Sequence, residues 1–205
     1  MSLNQQGTVD VLAIAAHRDD VEQTCGGTLL RMAARGLRTA ILDLTRGEAG
    51  TRGSATEREA EANAAAKLLG VSWRGALDLT DGAIENTLEN RIKIVRVLRM
   101  LRPRVVILPY WQARHTDHAI VATLGYEACF LSGLSKLDSP LWSALEADHT
   151  PYRPFKILYA SLYADVRPSF VVDITPYIEQ RHAALMAYTS QYANQQSGSG
   201  LFVPE

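Results

Sequence analysis

Short apolar runs alternate with stretches of helical period along most of this chain. Residues 9–15, Val9-Asp10-Val11-Leu12-Ala13-Ile14-Ala15, read as a buried strand. A helix is predicted over 21–35, with Gly36 as its C-cap. A second strand covers 39–44, and a helix over 56–69 follows, closed by Gly70. The repeat Ala60, Ala64, Leu68 suggests the face that this helix packs on a sheet. Residues 75–79 read as a short third strand. Ile92, Ile94, Val95, Val97, Leu98 and Leu101 give a periodic helix over 85–102, which Pro103 ends. A fourth strand over 105–108 and a helix over 119–132 come next. Residues 156–163 and 170–174 read as further strands, and 175–192 as the last helix. This alternation predicts an α/β three-layer sandwich with a mostly parallel, Rossmann-like sheet.

Three stretches lack period. Residues 45–54 form a loop at the carboxyl end of the second strand. Residues 132–154 are polar, contain proline and suggest a lid over the sheet face. The stretch 193–205, with Ser197-Gly198-Ser199-Gly200, reads as a flexible tail on a single domain of 1–205.

Composition removes several classes of function. At 205 residues, 47% hydrophobic and 21% charged, the chain is an ordinary globular domain with room for a core. A net charge of −1 gives no nucleic-acid footprint and no membrane-attracting surface. No apolar run approaches the ~20 residues a spanning helix needs. Met1-Ser2-Leu3-Asn4-Gln5-Gln6 has neither a charged nor an apolar leader region, so no signal peptide is expected. Cys25 and Cys129 make no disulfide framework and fit a reducing cytoplasm. The first strand leads into His-Arg-Asp-Asp rather than Gly-x-Gly-x-x-Gly, which disfavours a dinucleotide site.

The chemistry lies in two motifs. Ala16-His17-Arg18-Asp19-Asp20-Val21-Glu22 follows the first strand, and Arg114-His115-Thr116-Asp117-His118 follows the fourth. Loops at the carboxyl ends of parallel strands line one crevice, so the two can meet. Zinc accepts imidazole nitrogen and carboxylate oxygen while keeping a position open. The candidate trio is His17, one of Asp19 and Asp20, and one of His115 and His118, with the spare carboxylate as a base. Asp117 can orient an imidazole. His149 and His182 stand alone, and Arg58-Glu59-Ala60-Glu61 reads by itself as a solvated helix face.

Further stretches make the pattern specific: Gly26-Gly27-Thr28, Thr45-Arg46-Gly47-Glu48, Arg58-Glu59-Ala60-Glu61-Ala62 and His115-Thr116-Asp117-His118. With these, the chain resembles the PIG-L/LmbE-like family of zinc-dependent N-acetyl-sugar deacetylases. Pro168-Ser169-Phe170-Val171-Val172-Asp173-Ile174 and Ala187-Tyr188-Thr189-Ser190-Gln191-Tyr192 resemble the branch that deacetylates N-acetylglucosaminyl malate in bacillithiol biosynthesis. The resemblance implies one zinc ion per chain on His17, Asp20 and His118. It makes Asp19 the general base, and His115 the acid or oxyanion stabiliser oriented by Asp117. It makes Arg58 a substrate contact, and Arg153 another by its spacing from Pro168. Arg18 and Thr116 stand where that family usually has proline, so both turns lose a fixed φ, and Arg18 adds a third cation for substrate. Members of that branch usually continue past the position of Glu205.

The implied function is hydrolysis of the N-acetyl group of a small N-acetylglucosamine conjugate. Two alternatives are a deacetylase of another N-acyl glycoside, of mycothiol-precursor or antibiotic type, and a non-catalytic sugar-binding Rossmann-like protein. Family members are commonly homo-oligomers, and Tyr110, Trp111, Phe130, Leu141 and Trp142 suggest an interface or a ligand wall near the site. No nucleic acid or membrane partner is expected.

Overall fold

All five residues of β1, Val11–Ala15, are buried, as the middle strand of a sheet covered on both faces requires. The computed structural model describes residues 7–136, 140–146, 150–161 and 165–192. β1 pairs in parallel with β2 (Thr39–Asp43) from Val11↔Thr39 to Ala15↔Asp43. On its other side it pairs with β4 (Val105–Pro109), from Val11↔Val105 to Ala13↔Ile107. β3 (Trp73–Ala76) and β5 (Lys156–Ala160) flank these in the order β3-β2-β1-β4-β5, every pairing parallel. The strand order reverses between β1 and β4, and such a reversal opens a crevice at the carboxyl ends.

Alternation along the strands builds the two outer layers. Leu12, Ile14, Leu42, Val106 and Leu108 face α4 (Leu88–Leu101) and α5 (Thr116–Leu131). Ala13, Ala15, Ile41 and Ile107 face α2 (Gly26–Ala34), α3 (Ala55–Leu69) and α7 (Ile178–Met186). The sandwich has the three layers the sequence predicts.

Several boundaries move. The helix expected over 21–35 is two: α1 (Asp20–Thr24) and α2, broken at Cys25 with φ −134° and ψ 10°. α3 starts in a reciprocal cap between Ser54 and Glu57. It buries Arg58, Ala62, Ala65 and Leu69, not the stripe of Ala60, Ala64 and Leu68. β3 sits earlier than 75–79 and takes in Arg74. α5 starts at Thr116, so the second motif is a helix N-terminus rather than a loop. Residues 170–174 form no strand, and Phe170 and Val171 stand 60% and 80% exposed. The last helix is α7 and a short α8 (Thr189–Tyr192), separated so that Tyr188 inserts into the core.

The described part of 132–154 is no lid. It holds α6 (Pro140–Glu146), which packs on α4. Trp142 is 1% exposed, with the Arg99 guanidinium 4.6 Å over its ring. The Tyr152 hydroxyl donates to the Pro103 carbonyl at 2.9 Å. These contacts hold the segment at the amino end of β4, away from the crevice. Trp142 anchors it there by burying against α4, which a count of polar residues does not reveal. His149 and the expected tail at 193–205 lie outside the described residues; His182 is exposed.

Candidate metal centre

β1 ends at Ala15, and after a four-residue turn the chain enters α1 at Asp20. The Asp20 carboxylate closes that turn by accepting the His17 N–H at 2.8 Å. His118 enters from the first turn of α5, just beyond β4. Asp20 Oδ2 lies 3.1 Å from His118 Nε2 and 3.5 Å from His17 Nδ1, and the two nitrogens are 3.4 Å apart. Ligands ~2.0–2.1 Å from a tetrahedral ion stand about 3.3 Å from one another. The three atoms therefore fit three corners of such a site, and the fit comes from one borderline-soft donor set of two nitrogens and one oxygen.

Electrostatics agree with a site built for a cation. Burial opposes ionisation of Asp20, yet His118 and His17 outweigh it and hold the carboxyl well below the usual carboxylate range. Burial lowers the His17 pKa, but Asp20, Asp81 and Asp117 overcome it and push it up to about 9. His17 Nε2 lies 3.0 Å from Asp81 Oδ1 and 3.4 Å from Asp117 Oδ2. These carboxylates attract the ring at Nε2 by charge, without an aligned hydrogen bond, and leave its other nitrogen for the ion.

Asp117 thus faces His17, whereas the resemblance implies that it orients His115. The helix start explains this. The Asp117 side chain turns inward and accepts the Gly82 N–H at 2.9 Å, while His115 caps α5 through Nδ1, which accepts the Asp117 N–H at 3.2 Å. A neutral His115 therefore carries its proton on Nε2. The ring is exposed at the rim, its centroid 4.7 Å from that of His17. His17, His115 and Asp117 form a second cluster of possible ligands, in which His115 keeps only Nε2 free because Nδ1 accepts the Asp117 N–H.

Asp19 stands beside Asp20 with its own partners. Its Oδ2 accepts the Tyr192 hydroxyl at 2.9 Å and Gln23 Nε2 at 3.2 Å, and its Oδ1 is 3.5 Å from Arg58 Nη2. Burial and then the Asp20 charge raise its pKa, against the pull of Arg58 and Tyr192. A carboxylate lifted this way next to a metal site suits proton abstraction.

The three arginines expected on substrate are placed otherwise. Arg58 is 5% exposed and donates to the Gly47 carbonyl at 2.7 Å beneath the 45–50 loop. Gly47 has φ +70°, and a Cβ there would sit 2.1 Å from Arg58 Nη1, so the loop closes over the guanidinium only with glycine. Arg58 thus supports Asp19 instead of opening to the crevice. Arg18 is buried, its guanidinium 3.9 Å from Glu59. Arg153 precedes β5 and so lies at the amino end of the sheet, donating to the Phe130 carbonyl at 3.0 Å.

Two residues of the assembly are not singled out by the sequence. Asp81 follows β3 at a strand's carboxyl end, the same placement that marks the other motifs. It is laced to the 45–50 loop, since Glu48 accepts its N–H at 2.8 Å. Arg74 has no such signal. All five of its N–H groups are used: on Asp43 at 2.8 and 3.0 Å, on Glu22 at 2.6 Å, on the Ala62 carbonyl at 3.3 Å, and on the Arg18 carbonyl. The Tyr188 hydroxyl also donates to the Arg18 carbonyl and lies 3.1 Å from Glu22. The turn carrying His17, Asp19 and Asp20 is thus held from below at its middle peptide. This network supplies the restraint that a proline at position 18 would give through φ.

Comparison with known proteins agrees with the fold. The family model described as PIG-L, GlcNAc-PI de-N-acetylase, matches residues 12–129. Diacetylchitobiose deacetylase of Thermococcus kodakarensis is 32% identical over 193 residues, covering 89% of this chain and 70% of that protein. The crystal structure of a conserved protein from Thermus thermophilus is 41% identical, with a TM-score of 0.82 over 89% of this chain and 80% of the other. N,N′-diacetylchitobiose deacetylase from Pyrococcus horikoshii, complexed with its inhibitor MPG, is 27% identical with a TM-score of 0.82, over 91% and 72%.

Proposed function

The chain belongs to the PIG-L family of de-N-acetylases, and from that premise we propose that it removes the N-acetyl group of a small N-acetylglucosamine conjugate. The convergence of His17 Nδ1, Asp20 Oδ2 and His118 Nε2 beside a separately held Asp19 carries this reading. One divalent ion per chain, zinc in our reading, would supply a Lewis acid for the amide carbonyl and acidify a water.

The protein's own groups do the rest. Asp19 takes the proton of the attacking water, positioned by Arg58 and Tyr192. His115 keeps Nε2 free, since Nδ1 is taken by the Asp117 N–H, and its ring lies beside that of His17, so Nε2 donates to the developing oxyanion or, once protonated, to the leaving amine. Acetate and a free amine leave.

The substrate we put forward first is of the bacillithiol type, N-acetylglucosaminyl malate. Its support is the motif around Tyr188 and Tyr192, since these two hydroxyls reach Arg18 and Asp19. A disaccharide is the second reading, favoured by the similarity to two diacetylchitobiose deacetylases. We further propose a cytoplasmic homo-oligomer. Cys25 and Cys129 are free and buried, and no described helix is long and apolar enough to cross a membrane. Phe130 and Phe155 stand 55% and 71% exposed at the amino end of the sheet, where a second copy could cover them. Acetate release from a panel of N-acetylglucosaminides tests the reaction, and no release from any of them contradicts it.

A further inference from the structure

The centre borders two cavities of very different size. One, of about 30 Å³, lies against Asp20 and His118 and is walled by Val21, Pro109, Ala113 and Ala160. A single water takes ~10–15 Å³ on that scale, so the space suits an acyl methyl and excludes a sugar ring. The other is a cleft of about 850 Å³ that shares Thr24, Ile107, Tyr110 and Ala160 with the first. Sites for small organic ligands run from ~300 to ~1,000 Å³. The cleft is the space for the remainder of a substrate whose amide reaches the centre.

Trp111 stands on the wall of this cleft and is 50% exposed. Tyr110 lies against it, ring centroids 4.1 Å apart and planes 31° apart. Tyr159 meets it edge-on at 4.9 Å and 84°. The indole is thus fixed before anything binds, which lowers the entropy cost of using it. Trp111 precedes His115 by four positions on the β4–α5 connection, so their Cα atoms are at most ~14 Å apart. The aromatic face carries the negative part of its quadrupole, and a pyranose ring presents it with a face of C–H groups. Gln23, Arg167 and Ser169 at the cleft margin offer partners for the hydroxyls around that ring.

We propose that Trp111 is the stacking platform for a second sugar ring, next to the N-acetylated one. This rests on the deacetylase reading and, against the ranking by motif alone, selects the second of its two substrates, a disaccharide or longer N-acetylated glycan. An acyclic dicarboxylate such as malate gains nothing from an indole face.

The test compares N,N′-diacetylchitobiose with N-acetylglucosamine on the metal-loaded protein and its Trp111→Ala and Trp111→Phe variants. Stacking of this kind is worth about three- to tenfold. The ratio of kcat/KM for the disaccharide to that for the single ring should fall by that factor in Trp111→Ala, through KM, and should recover in Trp111→Phe. In parallel, tryptophan fluorescence of the metal-free protein is titrated with the disaccharide. Neither the buried Trp142 nor the half-buried Trp73 of β3 lines the cleft, so a saturable change that Trp111→Ala abolishes reports the platform. Acetate release with an unchanged ratio, or no fluorescence response to the disaccharide, overturns the platform; a Trp111 covered by another copy of the chain would give that silence. No acetate from any sugar, with a saturable response intact, contradicts the reaction and supports the platform.

Discussion

Asp81 Oδ1 lies 3.0 Å from His17 Nε2, joining the loop after β3 to the first motif after β1. The contact points His17 Nδ1 at Asp20 and His118. Carboxylates in this position contribute about 10–100-fold to metal affinity. Asp81→Ala should lower affinity for zinc by that factor, read by competition against a chelator of known strength. An unchanged affinity would mean that Asp117 alone orients His17.

His115 should matter to turnover and not to metal. Its Nδ1 is occupied by the Asp117 N–H, which leaves Nε2 for the reacting group. His115→Ala should keep full metal content and lose roughly 10²–10³ in kcat, the usual effect of removing one oxyanion donor. Loss of metal in this variant would place His115 among the ligands.

The network under the first motif predicts a large stability effect at a residue outside the chemistry. The Arg74 side chain is 5% exposed and faces two buried carboxylates. Arg74→Met strips both of their counter-charge and should destabilise the protein by about 3–5 kcal/mol, measured by denaturant unfolding. A loss under about 1 kcal/mol, the range of an exposed pair, would show that the network is dispensable.

The same network predicts a pH dependence. One guanidinium cannot neutralise both Glu22 and Asp43. Burial, opposed by Arg74, pushes the Glu22 carboxyl up from 4.5 to about 7. The folded state then binds the proton more tightly than the unfolded chain. Its contribution to stability is full below pH 4.5 and is lost as pH rises through about 7. Melting of the metal-free protein across this range should show the decline, and Glu22→Gln should flatten it. Parallel curves for the two proteins would assign the proton elsewhere.

What is legible in the sequence is what is local. β1 and β4 are apolar runs, and both motifs sit directly after them, so the crevice and its His and Asp residues are visible without contacts. Arg74 is invisible because its partners are 12 to 56 positions away and its strand is only four residues long. Asp81 reads as turn chemistry beside Gly82. Residues 170–174 have strand composition but no pairing partner among the described residues, and composition cannot supply one. Arg153 shows the same limit: spacing along the chain does not say that β5 carries it to the far end of the sheet.

The central claim is that Asp19 is the base and Asp20 the ligand in an N-deacetylase. Acetate release from N,N′-diacetylchitobiose and N-acetylglucosaminyl malate, by wild type and Asp19→Asn at measured metal content, tests it most directly. The account predicts acetate from wild type on at least one of the two, and a variant that retains its metal yet turns over about 10²–10⁴ more slowly. A variant that is metal-free, or one that releases acetate as fast as wild type, would contradict it.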